Sequence, residues 1–212
     1  MKNKIFIFLS LFAFHKSFSQ EKIITRYFSI DSIEVSKEKF QSLFDANRSN
    51  IVPANLKNQN DTMLVKLVNR KVLGQISVIQ VNQIIQYFGR LDTSIATKKT
   101  LLIKYFQGDD PCSTSGSATL QSMDEYFANF EKQILKKYDV EITQVKTKNA
   151  SVENRTNKPE NWLTDKYSIL YQFFPYHYSC GSFMILKPTG EYYIYYGEYG
   201  LQNALDGLKK LM

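Results

Sequence analysis

Two cysteines, one histidine and a pair of neighbouring aspartates are the residues of this chain whose types and spacing could do chemistry. Cys112 stands in Gln107-Gly108-Asp109-Asp110-Pro111-Cys112-Ser113-Thr114-Ser115, and Cys180 opens Cys180-Gly181-Ser182-Phe183-Met184-Ile185-Leu186. A thiol can pair into a disulfide, attack another disulfide as its thiolate, or stay free. His177, three residues before Cys180, could activate a thiol as a neighbouring base; a lone His between Tyr176 and Tyr178 is more often a partly exposed surface residue. One His and two Cys without an acidic cluster make a poor metal site, so no metal is expected. No Gly-rich phosphate loop and no nucleophile elbow occurs, and no cofactor is expected.

The compartment bears on the thiols. Met1–Lys4 carries positive charge, Ile5–Phe14 is a short apolar run, and Ser17-Phe18-Ser19 places small residues at a cleavage site before Gln20. That is the pattern of a secretory leader over residues 1–19, and its apolar run is too short to span a bilayer. No later stretch has the length and apolarity of a membrane helix. A periplasmic or secreted chain is therefore expected, without an integral membrane segment once the leader is gone. Cysteines in such an oxidising compartment tend to pair.

Charge excludes one class of partner. Removing Lys2, Lys4 and Lys16 with the leader leaves 24 Lys and Arg against 20 Asp and Glu, a net of about +4. The basic residues are scattered, as on solvated faces, so no nucleic-acid groove is expected. Another exported protein or peptide is the expected partner. Trp162, Phe173, Phe174, Tyr176 and Tyr178, with one face of Glu191–Tyr196, could supply an aromatic contact surface for it.

The thiols need elements to hold them. Thr100–Phe106 is apolar on both faces except at Lys104, the pattern of a central strand. Leu120, Met123, Phe127, Phe130, Ile134 and Tyr138 then form one helical stripe, capped by Ser117 or Ser122, with Cys112 at the mouth of that helix. A thiol there gains from unpaired backbone N–H groups, while Asp109 and Asp110 oppose its ionisation. Val140–Val145 alternates as a strand. Pro159 suits the first turn of a helix carrying Trp162, Leu163, Ile169, Leu170 and Phe173, with a strand over Ser168–Phe174 as the alternative. Ser182–Leu186 and Glu191–Tyr196 form a hairpin around Lys187-Pro188-Thr189-Gly190, and Leu201–Leu211 is a helix. Long crossovers predict parallel pairing of the first strands, and the short turn an antiparallel pair at the end.

Upstream, Glu21–Val35 reads as a strand or short hairpin, Ser36 as the N-cap of a helix over Lys37–Asn47, and Arg48–Thr62 as a long loop. Met63–Val68 is apolar enough for strand or helix. Val81, Ile84, Ile85, Phe88 and Leu91 have helical spacing, with the helix ending at Gly89 or soon after.

The order from Thr100 resembles that of the thioredoxin fold. Lys98-Lys99-Thr100-Leu101-Leu102-Ile103-Lys104-Tyr105-Phe106 is similar to the strand that precedes the active site of exported thioredoxin-like proteins. Gly181–Gly190 is similar to the family's run from its cis-proline through a strand to a Gly turn. The resemblance implies an α/β fold of thioredoxin-like three-layer α/β/α type with a mixed central sheet, over residues 95–212. Residues 20–94 would form an N-terminal α/β extension packed on that domain. Cys112 falls on the first Cys of the family's C-x-x-C, Ser115 replaces the second, and Gly181 replaces the proline, so the active site is degenerate. On this register Cys180 faces Cys112. Two functions follow as expectations: a divergent thiol–disulfide exchange protein using Cys112 and Cys180, with Cys112 attacking and Cys180 resolving, or a non-catalytic binding or structural module stapled by their disulfide.

Overall fold

The computed structural model describes residues 24–56, 62–93, 95, 99–114 and 116–212. The expected leader with its cleavage before Gln20 lies outside the described residues, as do Lys98 and Ser115.

In chain order the elements are β1 (Ile24–Phe28), β2 (Glu34–Val35), α1 (Lys37–Asn47), β3 (Ile51–Leu56), β4 (Thr62–Asn69), β5 (Lys71–Gln75) and α2 (Val78–Leu91). Then come β6 (Thr100–Phe106), α3 (Pro111–Thr114), α4 (Leu120–Leu135), β7 (Val140–Thr147), β8 (Trp162–Asp165), β9 (His177–Tyr178), β10 (Ser182–Leu186), β11 (Glu191–Tyr195) and α5 (Leu201–Leu211). The protein is a mixed α/β structure with two mixed sheets. The first runs β2-β1-β4-β3-β9, with β1 and β4 parallel. The second runs β5-β11-β10-β6-β7-β8, with β6, β7 and β8 parallel and the remaining pairs antiparallel. Both pairing expectations hold there: β6 crosses over through α4 to a parallel β7, and β10 turns back into an antiparallel β11.

The central strand is buried along all of its length. Alternation explains how both faces are used. Leu101, Ile103 and Tyr105 join a core with Met184, Leu186 and Ile194, covered by Val81, Ile84, Ile85 and Phe88 of α2. Leu102 joins the other core with Phe183, Ile185 and Tyr193, covered by Phe130 and Ile134 of α4 and Ala204 and Leu208 of α5. Each fully buried Leu or Ile of β6 contributes about 1.5–3 kcal/mol of transfer free energy. Ser36 caps α1 by accepting the Lys39 N–H, and Ser77 caps α2 by accepting that of Gln80.

Two expectations are corrected. Residues Arg48–Thr62 are not one long loop: β3 lies within them, because Ile51, Val52 and Ala54 find buried places beside β4. Pro53 is tolerated since β9 pairs only with Ala54 and Asn55, leaving Pro53 with a single neighbouring strand. The helix after Pro159 is absent. A short 3-10 turn (Pro159–Asn161) leads into β8, and Ser168, left-handed at φ 57°, starts a second 3-10 turn (Ile169–Gln172) instead of a strand. The buried Asp165 carboxylate accepts the N–H groups of Ile169 and Leu170 and so holds that turn. Parallel pairing of Trp162–Asp165 with β7 outweighs an apolar spacing that also suited a helix. The helix expected to end at Gly89 or soon after does so, α2 closing at Leu91.

Candidate functional site

The chain leaves β6 at Phe106 and is clamped at once. The Gln107 side chain accepts the Tyr178 N–H and donates to the carbonyls of Phe174 and Tyr176, while its own carbonyl receives the Thr147 hydroxyl. Four bonds thus fix the end of the central strand against the segment leading to Cys180. Nothing in the residue pattern marked Gln107 for this role, because its partners are distant backbone groups.

Three residues on, the Asp110 side chain is only 5% exposed. Its Oδ2 accepts the Cys180 N–H at 2.9 Å and lies 3.0 Å from Nε2 of His177. The sequence marked Asp110 as a charge opposing thiol ionisation; its part in building the turn around Cys180 came only with the fold. Cys180 itself adopts the left-handed region at φ 67°, an uncommon state for a non-glycine residue, and Gly181 follows at φ 98°. A Cβ on Gly181 would sit 3.1 Å from the Tyr105 carbonyl, so the close approach of this turn to β6 also favours glycine.

Cys112 and Cys180 form a disulfide with their Cα atoms 5.4 Å apart. Both are half-buried. Cys112 is not at the mouth of the long helix. It is the second residue of the four-residue α3, and α4 begins separately at Leu120 behind Thr119, whose hydroxyl accepts the Ser122 N–H. Gly116 and the Ser and Thr residues around it favour caps and turns over helix interiors, which accounts for the break. Cys112 therefore does not stand in the first turn of α4.

The ligand-type atoms of Asp110, Cys112 and Cys180 lie within 4.8 Å of one another. A metal takes thiolates, and here the two sulfurs are bonded to each other. In the disulfide state the cluster offers one carboxylate, with the His177 imidazole beside it.

The aromatics are mostly interior. Phe173, Phe174 and Tyr178 are buried, and Tyr178 stacks on Tyr196 with ring centroids 4.2 Å apart. Tyr196 donates its hydroxyl to the Phe173 carbonyl at 2.7 Å, and burial pushes that hydroxyl up to about 12, so it is a neutral donor. Neither face of β11 is exposed, since Tyr193, Ile194 and Tyr195 are all buried between α5 and α2. The anticipated outer tyrosine face is thus core. Trp162 is half-buried, edge-on to Phe106 at 6.1 Å. It borders a cavity of about 270 Å³ that reaches Cys180 and Gly181.

No helix among the described residues is long and apolar enough to cross a membrane. Comparison of the chain with protein-family models, curated proteins and solved structures returns no match.

Proposed function

We propose that this chain is an exported thioredoxin-like protein whose Cys112–Cys180 pair takes part in thiol–disulfide exchange with another exported protein or peptide. The observation that carries the proposal is the position of the pair: Cys112 follows the central strand β6, and Cys180 precedes β10, the antiparallel neighbour of β6. The order β11-β10-β6-β7 in the second sheet, with α4 between β6 and β7 and α5 after β11, supports the family reading, while β8 and two 3-10 turns stand where the family order has a second helix; the disulfide fits an oxidising compartment.

In the reducing direction the Cys112 thiolate attacks a partner disulfide, forming a mixed disulfide and releasing one partner thiolate. The Cys180 thiolate then attacks the Cys112 sulfur, closing the internal disulfide and releasing the second partner thiol. Two electrons pass to the partner, and the reverse sequence oxidises it.

A second reading has its own observation. Cys180 lies between β9, in the five-stranded sheet, and β10, in the six-stranded sheet. The bond ties this junction to Cys112 across a sequence separation of 68. As a staple for a non-catalytic binding or structural module, it would contribute about 4 kcal/mol by restricting the unfolded chain.

Equilibration with defined redox buffers, read by alkylation, separates the two. Exchange calls for a reduction potential of about −120 to −270 mV, whereas a value below about −300 mV identifies the staple. In support, Cys180→Ser would trap mixed disulfides through Cys112 faster than Cys112→Ser traps them through Cys180. Equal, slow reaction of both variants would overturn the exchange mechanism.

A further inference from the structure

The cavity beside the disulfide holds a cation with an unmet donor. Its walls include Phe106, Phe127, Trp162 and Tyr199, and its charged lining is Lys104, Arg155 and Lys158 with Asp124, Glu131 and Glu198. Lys104 is matched: its ammonium donates to Glu131 at 2.9 Å and lies 4.2 Å from the Phe127 ring centre. Asp124, also on the wall, is engaged by the Thr156 hydroxyl and the Asn157 N–H.

Arg155 differs. Its guanidinium stacks 4.2 Å from the Phe106 ring centre, and its buried Nη1 has no hydrogen-bond partner among the described residues. Burial draws its affinity for the proton below the usual arginine range, and the charges of Asp109 and Asp110 only partly offset this. A guanidinium cannot escape the mismatch by deprotonating. Buried donors are nearly always paired, so an orphaned one calls for an explanation.

We propose that this cavity is a binding site for a small organic carboxylate carrying an aromatic or bulky apolar group, with Arg155 receiving the carboxylate. The planar guanidinium fork matches a carboxylate in a way a lone ammonium does not. The aromatic walls suit the apolar portion, and the volume is near the lower end of ligand pockets. The carboxylate belongs either to a free acid or to a peptide C-terminus. Binding requires no thiol chemistry, so the site stands whether or not the cysteine pair exchanges.

Trp162 is the single tryptophan and borders the cavity, which gives a direct signal. Its fluorescence is titrated, in the full mature chain, with 3-phenylpropionate and with 3-phenylpropionamide. The acid binds saturably and about tenfold or more tightly than the amide, reflecting a charge-assisted bond the amide cannot make. Arg155→Gln abolishes that preference, and Arg155→Lys retains part of it. A tripeptide ending in free-acid Phe, compared with its C-terminal amide, distinguishes the sources: tighter binding than 3-phenylpropionate assigns the site to peptide termini, and weaker binding to free acids. Equal affinity for acid and amide, absence of saturable binding at millimolar concentration, or a preference unchanged in a folded Arg155→Gln protein would each overturn the proposal. Should Arg155→Gln fail to fold, the acid-to-amide comparison in the unaltered chain and in Arg155→Lys decides alone.

Discussion

Oδ2 of Asp110 lies 3.0 Å from Nε2 of His177 and receives the Cys180 backbone N–H at 2.9 Å, so one carboxylate oxygen orders both the imidazole and the turn that carries the sulfur. That carboxylate is also within 4.8 Å of both sulfurs. Once the disulfide is reduced, its negative charge opposes formation of a thiolate. The four-residue α3 supplies no long helix to compensate.

Asp110→Asn therefore acidifies the reduced thiols. A more stable thiolate means a more stable reduced form, so the reduction potential rises, by about 30 mV for each tenfold gain. Thiolate absorbance against pH, together with redox equilibration, checks both effects. An unchanged thiol titration in a folded Asp110→Asn protein would show that the carboxylate acts only on backbone geometry.

Arg70 joins the two sheets. It is 8% exposed, donates from Nε to the Ile51 carbonyl and from Nη1 to the Tyr196 carbonyl, each at 3.2 Å. Its own carbonyl receives the Tyr196 N–H at 2.8 Å. Arg70→Met keeps much of the packing but leaves buried carbonyls unpaired, costing about 2–3 kcal/mol. Urea unfolding measures the loss; a change below about 0.5 kcal/mol would mean that water replaces the guanidinium without penalty.

How far these relationships were legible in the sequence depended on range. The apolar run of Thr100–Phe106 and the spacing of Leu201–Leu211 reflect local periodicity, and both elements occur with those bounds. Ser36 capped α1 as its position before a helical pattern implied. The stretch Trp162–Phe173 was misread because its apolar residues satisfied a helical spacing, whereas its fate was decided by pairing with Gln144–Thr147 of β7. β5 gave no local sign that it would form the edge of the second sheet, beside β11 and far along the chain. At the site, the cysteines and His177 stood out by type. Gln107, Asp110 and Arg155 act through backbone groups, a buried ring and a cavity wall, none of which composition or spacing reveals.

Gly207 shows close packing winning over propensity. A Cβ there would come within 2.7 Å of the Tyr193 ring and 2.9 Å of Ile185, so α5 rests on the sheet through this glycine. Gly207→Ala gains about 1 kcal/mol of helix propensity but incurs about 1–3 kcal/mol of overpacking. A net loss of stability is expected by chemical denaturation. A more stable Gly207→Ala protein would mean that the ring moves aside freely.

Asp124 links stability to acid pH. The Thr156 hydroxyl bond chiefly holds its carboxyl below the usual aspartate range; burial opposes it less strongly, and the Asn157 backbone bond adds to the lowering. A depressed folded-state value means that the carboxylate stabilises the fold above its unfolded value. This stabilisation disappears as pH falls through the lower folded value. The stability difference between the unaltered chain and Asp124→Asn should be constant at neutral pH and shrink below about pH 4. A difference that stays constant down to pH 2 would remove Asp124 from the acid response.

Lys104 gives the most direct test of how the interior handles charge. The ammonium is 1% exposed, pairs with Glu131 at 2.9 Å and faces the rings of Phe127 and Phe130. Burial pushes its affinity for the proton down, and Glu131 offsets part of that effect. Removing Glu131 alone leaves a buried cation with only the rings as partners. Glu131→Gln should cost about 2–3 kcal/mol, at the lower end for a broken buried pair because the Glu131 side chain is 30% exposed. Replacing both, as Lys104→Met with Glu131→Gln, removes the charge as well as the partner and should recover most of the loss. The pH dependence follows from the depressed folded-state value. The cost of keeping Lys104 protonated is fully present below that value and is relieved as pH rises through it towards the unfolded value. The gap between Glu131→Gln and the unaltered chain should therefore narrow as pH approaches about 10. A double variant as unstable as Glu131→Gln, or a gap that does not change with pH, would show that Glu131 stabilises α4 by packing and not by neutralising Lys104.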